Sequence, residues 1–178
     1  DRADTLLVER GLVMSKTVAR AVILAGQVFA LTVRIEKPGQ QIKVGAPLRI
    51  LRGPKYVSRG GDKLEGALAS FQLDVSGLAA LDVGASTGGF TDCLLQHGAA
   101  HVYAIDVGKG HISAKLRQDY RVNVIERINA RYDYSLKSQV DFVTFDVSFI
   151  SLRLVVPAAL KHLTEGGLAL ALVKPQFE

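Results

Sequence analysis

The stretch Leu78-Ala-Ala-Leu-Asp82-Val-Gly84-Ala-Ser-Thr-Gly88-Gly-Phe90 is an apolar run that breaks into a glycine-rich turn. A short amphipathic segment follows, then a second apolar run, Ala100-His-Val-Tyr-Ala-Ile-Asp106, that ends in an acid. This order predicts strand, turn, helix and strand, the first half of a nucleotide-type βαβ unit. The glycines let the backbone pass close to a bound molecule, and they open a helix whose free N–H groups face the same crevice. Asp106 stands about 20 residues beyond the turn, where a carboxylate accepts hydrogen bonds from two ribose hydroxyls.

Glycine spacing narrows the choice of ligand. A dinucleotide site reads G-x-G-x-x-G, whereas this turn reads Asp82-x-Gly84-x-x-x-Gly88-Gly89. Asp82 would oppose a pyrophosphate and suit a cationic aminoacyl group, and S-adenosylmethionine carries both an ammonium and a sulfonium. A ligand-free turn and a nicotinamide site with a degenerate motif are the alternatives; Asp82 and Asp106 together favour the methyl donor. The expected cofactor contacts are Asp82, Gly84, Ala85, Ser86, Thr87, Gly88, Gly89, Phe90 and Asp106.

Further along, Val140-Asp-Phe-Val-Thr-Phe-Asp146 and Gly167-Leu-Ala-Leu-Ala-Leu-Val-Lys174 read as buried strands, with a helix over Leu152 to Leu163 between them. Apolar runs that alternate with helices predict a parallel sheet covered on both faces. Doubly wound order sets the first and fourth strands side by side, so Asp146 should face the glycine turn, with Lys174 on the neighbouring strand. Upstream, Asp62 is expected to cap a helix from Lys63 to Gln72 whose Leu64, Ala67, Leu68 and Phe71 point inward. Lys63 then stands in the first turn, where the helix dipole disfavours a cation.

Charge divides the chain. Residues 1–60 hold 11 Lys/Arg against 4 Asp/Glu, a net of +7, and residues 61–178 hold 11 against 13, a net of −2. A basic segment beside a neutral one suggests that the first part holds a polyanion for the second to modify. In the basic part we expect a helix over residues 3–11 with Leu6 and Leu7 inward, and a Ser15-capped helix from Lys16 to Ala25 with Val18, Ala21, Val22 and Ala25 inward. Short strands at Val28–Ala30, Val33–Glu36 and Leu48–Leu51 should follow. The single cysteine, Cys93, excludes an internal disulfide and reads as a buried small hydrophobe. No run approaches the roughly 20 apolar residues of a membrane span, and Asp1-Arg-Ala-Asp4 does not read as a signal peptide. These features predict a soluble cytoplasmic protein. No Cys/His cluster offers a metal site.

The first third resembles the RNA-binding domain first described in ribosomal protein S-four. The residues that carry the likeness are Arg2, Leu7-Val8-x-Arg10-Gly11-Leu12, Ser15-Lys16, Ala19, Ala25-Gly26-x-Val28 and Lys37-Pro38-Gly39. This resemblance implies that Arg2, Arg10, Lys16 and Arg20 contact RNA phosphates; Arg59, in the basic segment that follows, is a further candidate for RNA contact. Phe29-Ala-Leu-Thr32 departs from the Asn-Gly turn usual in that family.

Ser58-Arg-Gly-Gly-Asp-Lys63-Leu, the Asp82 to Asp92 turn, Asp146-Val-Ser-Phe-Ile-Ser and Leu172-Val-Lys-Pro-Gln-Phe-Glu178 together resemble the TlyA-type, haemolysin A-like proteins. These are ribosomal RNA 2′-O-methyltransferases related to the FtsJ-like enzymes. The resemblance implies an α/β, Rossmann-like S-adenosylmethionine-dependent methyltransferase fold, incomplete at its C-terminus, behind a small α+β RNA-binding domain. The expected boundaries are 1–51 for the RNA-binding domain, 52–61 for a flexible linker and 62–178 for the methyltransferase domain. It further implies methylation of cytidine riboses in ribosomal RNA or ribosomal subunits, and a Lys-Asp-Lys-Glu tetrad whose first three members are Lys63, Asp146 and Lys174. Asp146 also borders the donor. The glutamate and two further strands would lie downstream of Glu178. The absence of prolines after Asp146 likewise tilts the target from a base nitrogen to a hydroxyl. A cytolysin and a non-catalytic RNA-binding factor are the competing readings. Pseudouridine synthase is disfavoured because no Arg-Leu-Asp context is present.

Overall fold

The computed structural model describes residues 1–51 and 53–178; Arg52, in the expected linker, lies outside the described residues. The chain divides into two compact units, Asp1–Gly53 and Pro54–Glu178.

The first unit carries helices α1 (Ala3–Glu9) and α2 (Lys16–Leu24), then strands β1 (Val28–Ala30), β2 (Val33–Arg34) and β3 (Leu48–Ile50). The strands form an antiparallel sheet of order β2-β1-β3. Ser15 is extended, and its Oγ accepts the Val18 N–H at 3.3 Å, satisfying one of the donors left free at the start of α2. Leu6, Leu7, Ala19, Ile23, Val28 and Ile35 make the core. The inward face of α2 is the Ala19/Ile23 stripe with Val22, half-buried as expected, packed beside it; the other residues expected inward, Val18, Ala21 and Ala25, are exposed. A nine-residue helix on so small a sheet buries one i, i+4 pair, and its neighbours flank the contact.

The second unit holds α3 (Gly60–Ser70), β4 (Ala79–Val83), α4 (Gly89–Gln96), β5 (His101–Ile105), α5 (Ala114–Arg117), β6 (Val122–Ile125), β7 (Val140–Phe145), α6 (Leu152–Leu160) and β8 (Leu163–Ala171). A 3₁₀ turn spans Pro175–Phe177. The five strands form a parallel sheet of order β6-β5-β4-β7-β8, a Rossmann-like arrangement. Alternation along the central strands supplies two cores. Ala80, Val102, Ala104 and Phe142 meet α3, α4 and α5, while Leu81, Val83, Tyr103, Ile105, Val143 and Phe145 meet α6.

Three local expectations change. The segment from Tyr56 to Gly61 is no free arm: Tyr56 is buried in the α3/α4 core, and the Val57 N–H donates to Asp92 Oδ2 at 2.9 Å. Helix α3 starts at Gly60, so Arg59 is the N-cap and Asp62 is the third residue, where its charge still complements the dipole. Phe71, expected inward, is the exposed C-cap. Strand β8 begins at Leu163 and ends at Ala171, with a register irregularity opposite Val140/Phe142, which leaves Lys174 beyond the strand.

Parallel register aligns Val83 with Ile105 and Phe145, and Phe145 with Ala171. The segments that follow β4, β5, β7 and β8 therefore leave the sheet on one edge. Among the described residues no helix is long and apolar enough to cross a membrane.

Candidate active site

The turn after β4 is shaped by what it touches. Gly84 has φ +83°, and a Cβ there would lie 2.8 Å from the Asp146 carbonyl oxygen, so only glycine lets this turn and the loop after β7 meet. Gly89 opens α4 directly beneath the start of α3. A Cβ on it would lie 2.9 Å from the Gly61 nitrogen and collide with Ser58 Oγ. Gly88, the left-handed N-cap of α4, is buried against Leu116 and Ile112.

Two cavities open on this edge and share Gly84, Ser86, Asp146 and Ser148 as a common wall. One, of about 510 Å³, is bordered by Ser58, Arg59, Lys63, Lys174 and the turn from Gly84 to Phe90, Gly88 excepted. The other, of about 380 Å³, is bordered by Asp106, Val107, Ile128, Ala130, Ile150 and Val155, and its wall is the more apolar. Asp106 is held rigidly. Its Oδ2 accepts the Ser86 N–H and its Oδ1 the Gly108 N–H, both at 2.7 Å, which leaves a further lone pair on each oxygen.

Lys174 Nζ lies 2.7 Å from Asp146 Oδ1 and donates to Ser148 Oγ at 2.9 Å. An ammonium has three donors, so one N–H remains for a third partner. Lys63, the fourth residue of α3, is exposed and borders the same cavity. Glu178 accepts from Ser151 Oγ at 2.8 Å and from the Leu152 N–H at 2.9 Å at the start of α6. These hydrogen bonds hold its carboxyl below the ordinary carboxylate range.

Asp82 departs from its expected role. It is fully buried, accepts from Thr91 Oγ1 at 2.7 Å and Thr144 Oγ1 at 3.1 Å, and borders neither cavity. It braces β4 to α4 and β7 because it sits on an inward-facing position of the central strand. Gly88 likewise shapes the turn without bordering either cavity. Burial pushes the Asp82 carboxyl up to about 6; Asp146 adds to the rise and the two threonines oppose it.

The basic candidates of the first unit divide. Arg2 is bidentate to the buried Asp4 at 3.0 and 2.8 Å, and Arg20 approaches the same carboxylate at 3.5 Å. The Arg2 hydrogen bonds hold the Asp4 carboxyl down at about 2, against the cost of burial. Arg10 donates to the Ala46 carbonyl at 2.6 Å and to that of Val44. Arg10 thus fastens a loop, while Lys16 is exposed with no ion pair among the described residues. Arg59 borders the larger cavity.

Sequence reasoning does not mark Ser58, Ser148 or the Ile128-Asn-Ala130 segment as site residues. Ser58 stood in plain view within the Ser-Arg-Gly-Gly run read as linker, and Ser148 two places after Asp146. Nothing local marks Ile128 and Ala130, which arrive by the fold of a long polar stretch.

A family model described as FtsJ-like methyltransferase matches residues 56–178. The chain belongs to the FtsJ-like methyltransferase family. The match takes in the Tyr56–Gly61 segment together with the parallel sheet and leaves the first unit outside. Two curated relatives extend over both units. The Bacillus subtilis protein named "Putative rRNA methyltransferase YqxC" is 50% identical over the whole chain, which spans 65% of that protein's length. The Mycobacterium tuberculosis protein named "16S/23S rRNA (cytidine-2'-O)-methyltransferase TlyA" is 44% identical over 99% of this chain and 68% of its own. Among solved structures, a "putative hemolysin" from Streptococcus thermophilus matches all of this chain and 67% of its own, with a TM-score of 0.69 and 46% identity. This FtsJ-like chain therefore spans about two thirds of the length of each of these relatives.

Proposed function

We propose that this chain carries the donor site and most of the catalytic groups of an S-adenosylmethionine-dependent RNA (ribose-2′-O)-methyltransferase that acts in the cytoplasm on cytidine in ribosomal RNA. The observation that carries the reading is the Lys174–Asp146 ion pair at the wall shared by the two cavities, with Lys63 on the border of one of them. The residues fit the donor. Asp106 offers two anchored acceptors for ribose hydroxyls, the apolar cavity suits a base, and the start of α4, whose Gly89 and Phe90 border the larger cavity, suits a carboxylate. When bound, S-adenosylmethionine supplies a methyl group on a sulfonium, which is electrophilic at carbon.

A ribose hydroxyl is a weak nucleophile, so the protein must align its oxygen and stabilise the charge that grows on it. Asp146 and Ser148 take two of the Lys174 hydrogens, and the third would point to that oxygen and stabilise the charge that grows on it as the methyl carbon bonds to it and its proton passes to solvent water. Lys63 and Arg59 border the same cavity; Lys63 would set a second cation near the reacting oxygen, and Arg59 would hold an adjoining RNA phosphate. The first unit serves, in this reading, as an S-four-like RNA-binding domain. Lys16 is its free phosphate contact, and Arg2 and Arg20 contribute their outward edges. The likeness to relatives named for cytidine 2′-O-methylation supports the choice of target.

The test is transfer of a labelled methyl group from S-adenosylmethionine to ribosomal RNA by the full-length protein. Lys63→Ala, Asp146→Ala and Lys174→Ala should each lower the rate by roughly a hundredfold or more. Calorimetry should find donor affinity within about threefold of the parent for the two lysine variants. Parental rates in all three variants would overturn the mechanism, and the absence of any binding heat with S-adenosylmethionine would overturn the donor.

A further inference from the structure

The loop after β7 and the turn after β8 are joined at both ends and in the middle. At one end Lys174 Nζ meets Asp146 at 2.7 Å and Ser148 Oγ at 2.9 Å. In the middle the rings of Phe149 and Phe177 stand 5.2 Å apart at 49°. At the other end Glu178 takes the Ser151 hydroxyl and the Leu152 N–H. The two segments therefore close a ring. Phe149 makes its ring contact with φ +62°, an uncommon conformation for an aromatic residue, and with its side chain largely exposed.

We infer that Ser148 and Glu178 are positioning residues that aim the Lys174 ammonium at the reacting oxygen. The inference rests on the methyltransferase reading above. A lysine is a compact charge on a four-carbon stem with three rotating donors. A single carboxylate fixes where Nζ sits and leaves the ammonium free to spin. A second acceptor fixes the direction of the remaining N–H, and Ser148 supplies it without adding a second negative charge. Glu178 acts one step further away. Its carboxylate complements the N-terminus of α6 and ties the Pro175–Phe177 turn to the segment that carries Ser148. Releasing that tie lets the backbone at Lys174 drift, and displacements near 1 Å are costly for a group that must meet a reacting atom.

The full-length protein tests this by steady-state methyl transfer and by amine-reactive labelling of Lys174 read by peptide mass spectrometry. Ser148→Ala should lower kcat about tenfold, equivalent to about 1.4 kcal/mol. The KM for RNA and the donor Kd should stay within twofold, and Ser148→Thr, which keeps the hydroxyl, should restore kcat to within threefold. Glu178→Ala should lower kcat about fivefold, and Glu178→Gln, which keeps an acceptor for Leu152, should recover most of it. In a Lys174→Ala background neither change should cost anything further, since both act through that amine. Labelling of Lys174 should rise about threefold in either alanine variant.

Unchanged labelling together with unchanged kcat overturns the inference, as does a full additional loss in the Lys174→Ala background. If the parent transfers no methyl group, the enzyme reading fails, and labelling alone then decides whether Ser148 and Glu178 hold the lysine.

Discussion

Replacing Asp82 with asparagine isolates the cost of a buried charge beneath the glycine turn. The Asp82 carboxyl is wholly inaccessible, and its hydrogen bonds come from two neutral hydroxyls, Thr91 and Thr144. Burial raises it from the ordinary 3.8 to about 6. At about 1.4 kcal/mol per pKa unit the difference is about 3 kcal/mol. In the unfolded chain the group ionises near its ordinary value, whereas in the folded chain it keeps its proton to about pH 6. Between about pH 4 and 6 the folded state therefore binds more protons than the unfolded state, and stability falls as pH rises through that window. Below the unfolded pKa the penalty is absent, and by pH 7 it is fully present. Asp82→Asn is neutral throughout and sacrifices one hydroxyl partner, a loss of about 1 kcal/mol. Urea unfolding between pH 4 and 7, followed by circular dichroism and by thiol labelling of the buried Cys93, should give the variant a flatter profile. Relative to the parent it should gain about 3 kcal/mol across the window. Donor affinity should stay within about fivefold, because the carboxylate borders neither cavity. Parallel profiles for the two proteins would refute the buried-charge account, and a collapse of donor binding would return Asp82 to direct contact.

Gly84→Ala forces a side chain into a left-handed position, at roughly 1–2 kcal/mol, and drives Cβ toward the Asp146 carbonyl. Methyl transfer should fall well beyond what the loss of stability explains, which parallel thermal melts and rate assays will separate. In the first unit, Arg10→Ala should lower stability by about 1 kcal/mol through its lost carbonyl contacts. Lys16→Ala should leave stability unchanged and reduce the slope of RNA affinity against salt by about 1, as a salt titration of RNA binding will report.

The Ser148 and Glu178 positions mark where local patterns stop being informative. Residues 78–106 alone specify the strand, turn, helix and strand, because apolar runs, a glycine turn and a closing acid are written in consecutive positions. The same holds for Ser15 as a cap and for Asp106 at the end of its strand. The run Ser58-Arg-Gly-Gly misleads for the opposite reason. Its glycines permit close helix crossing as readily as they permit a flexible arm, and only Tyr56 beneath them and Asp92 beside them select the packed form.

By itself, then, the chain's order of residues determined the parallel sheet, the edge on which its turns gather and the acid and amine at Asp146 and Lys174, since periodicity and turn chemistry act within a few residues. Tertiary structure alone decided that Asp82 faces inward, that Arg10 serves a loop, and that Lys174 is shared between Asp146 and Ser148. The Arg2–Asp4 pair is a local one, formed across the start of α1; the other outcomes depend on which groups distant in sequence the fold brings within about 3 Å of one another, and no short stretch of sequence contains that distance.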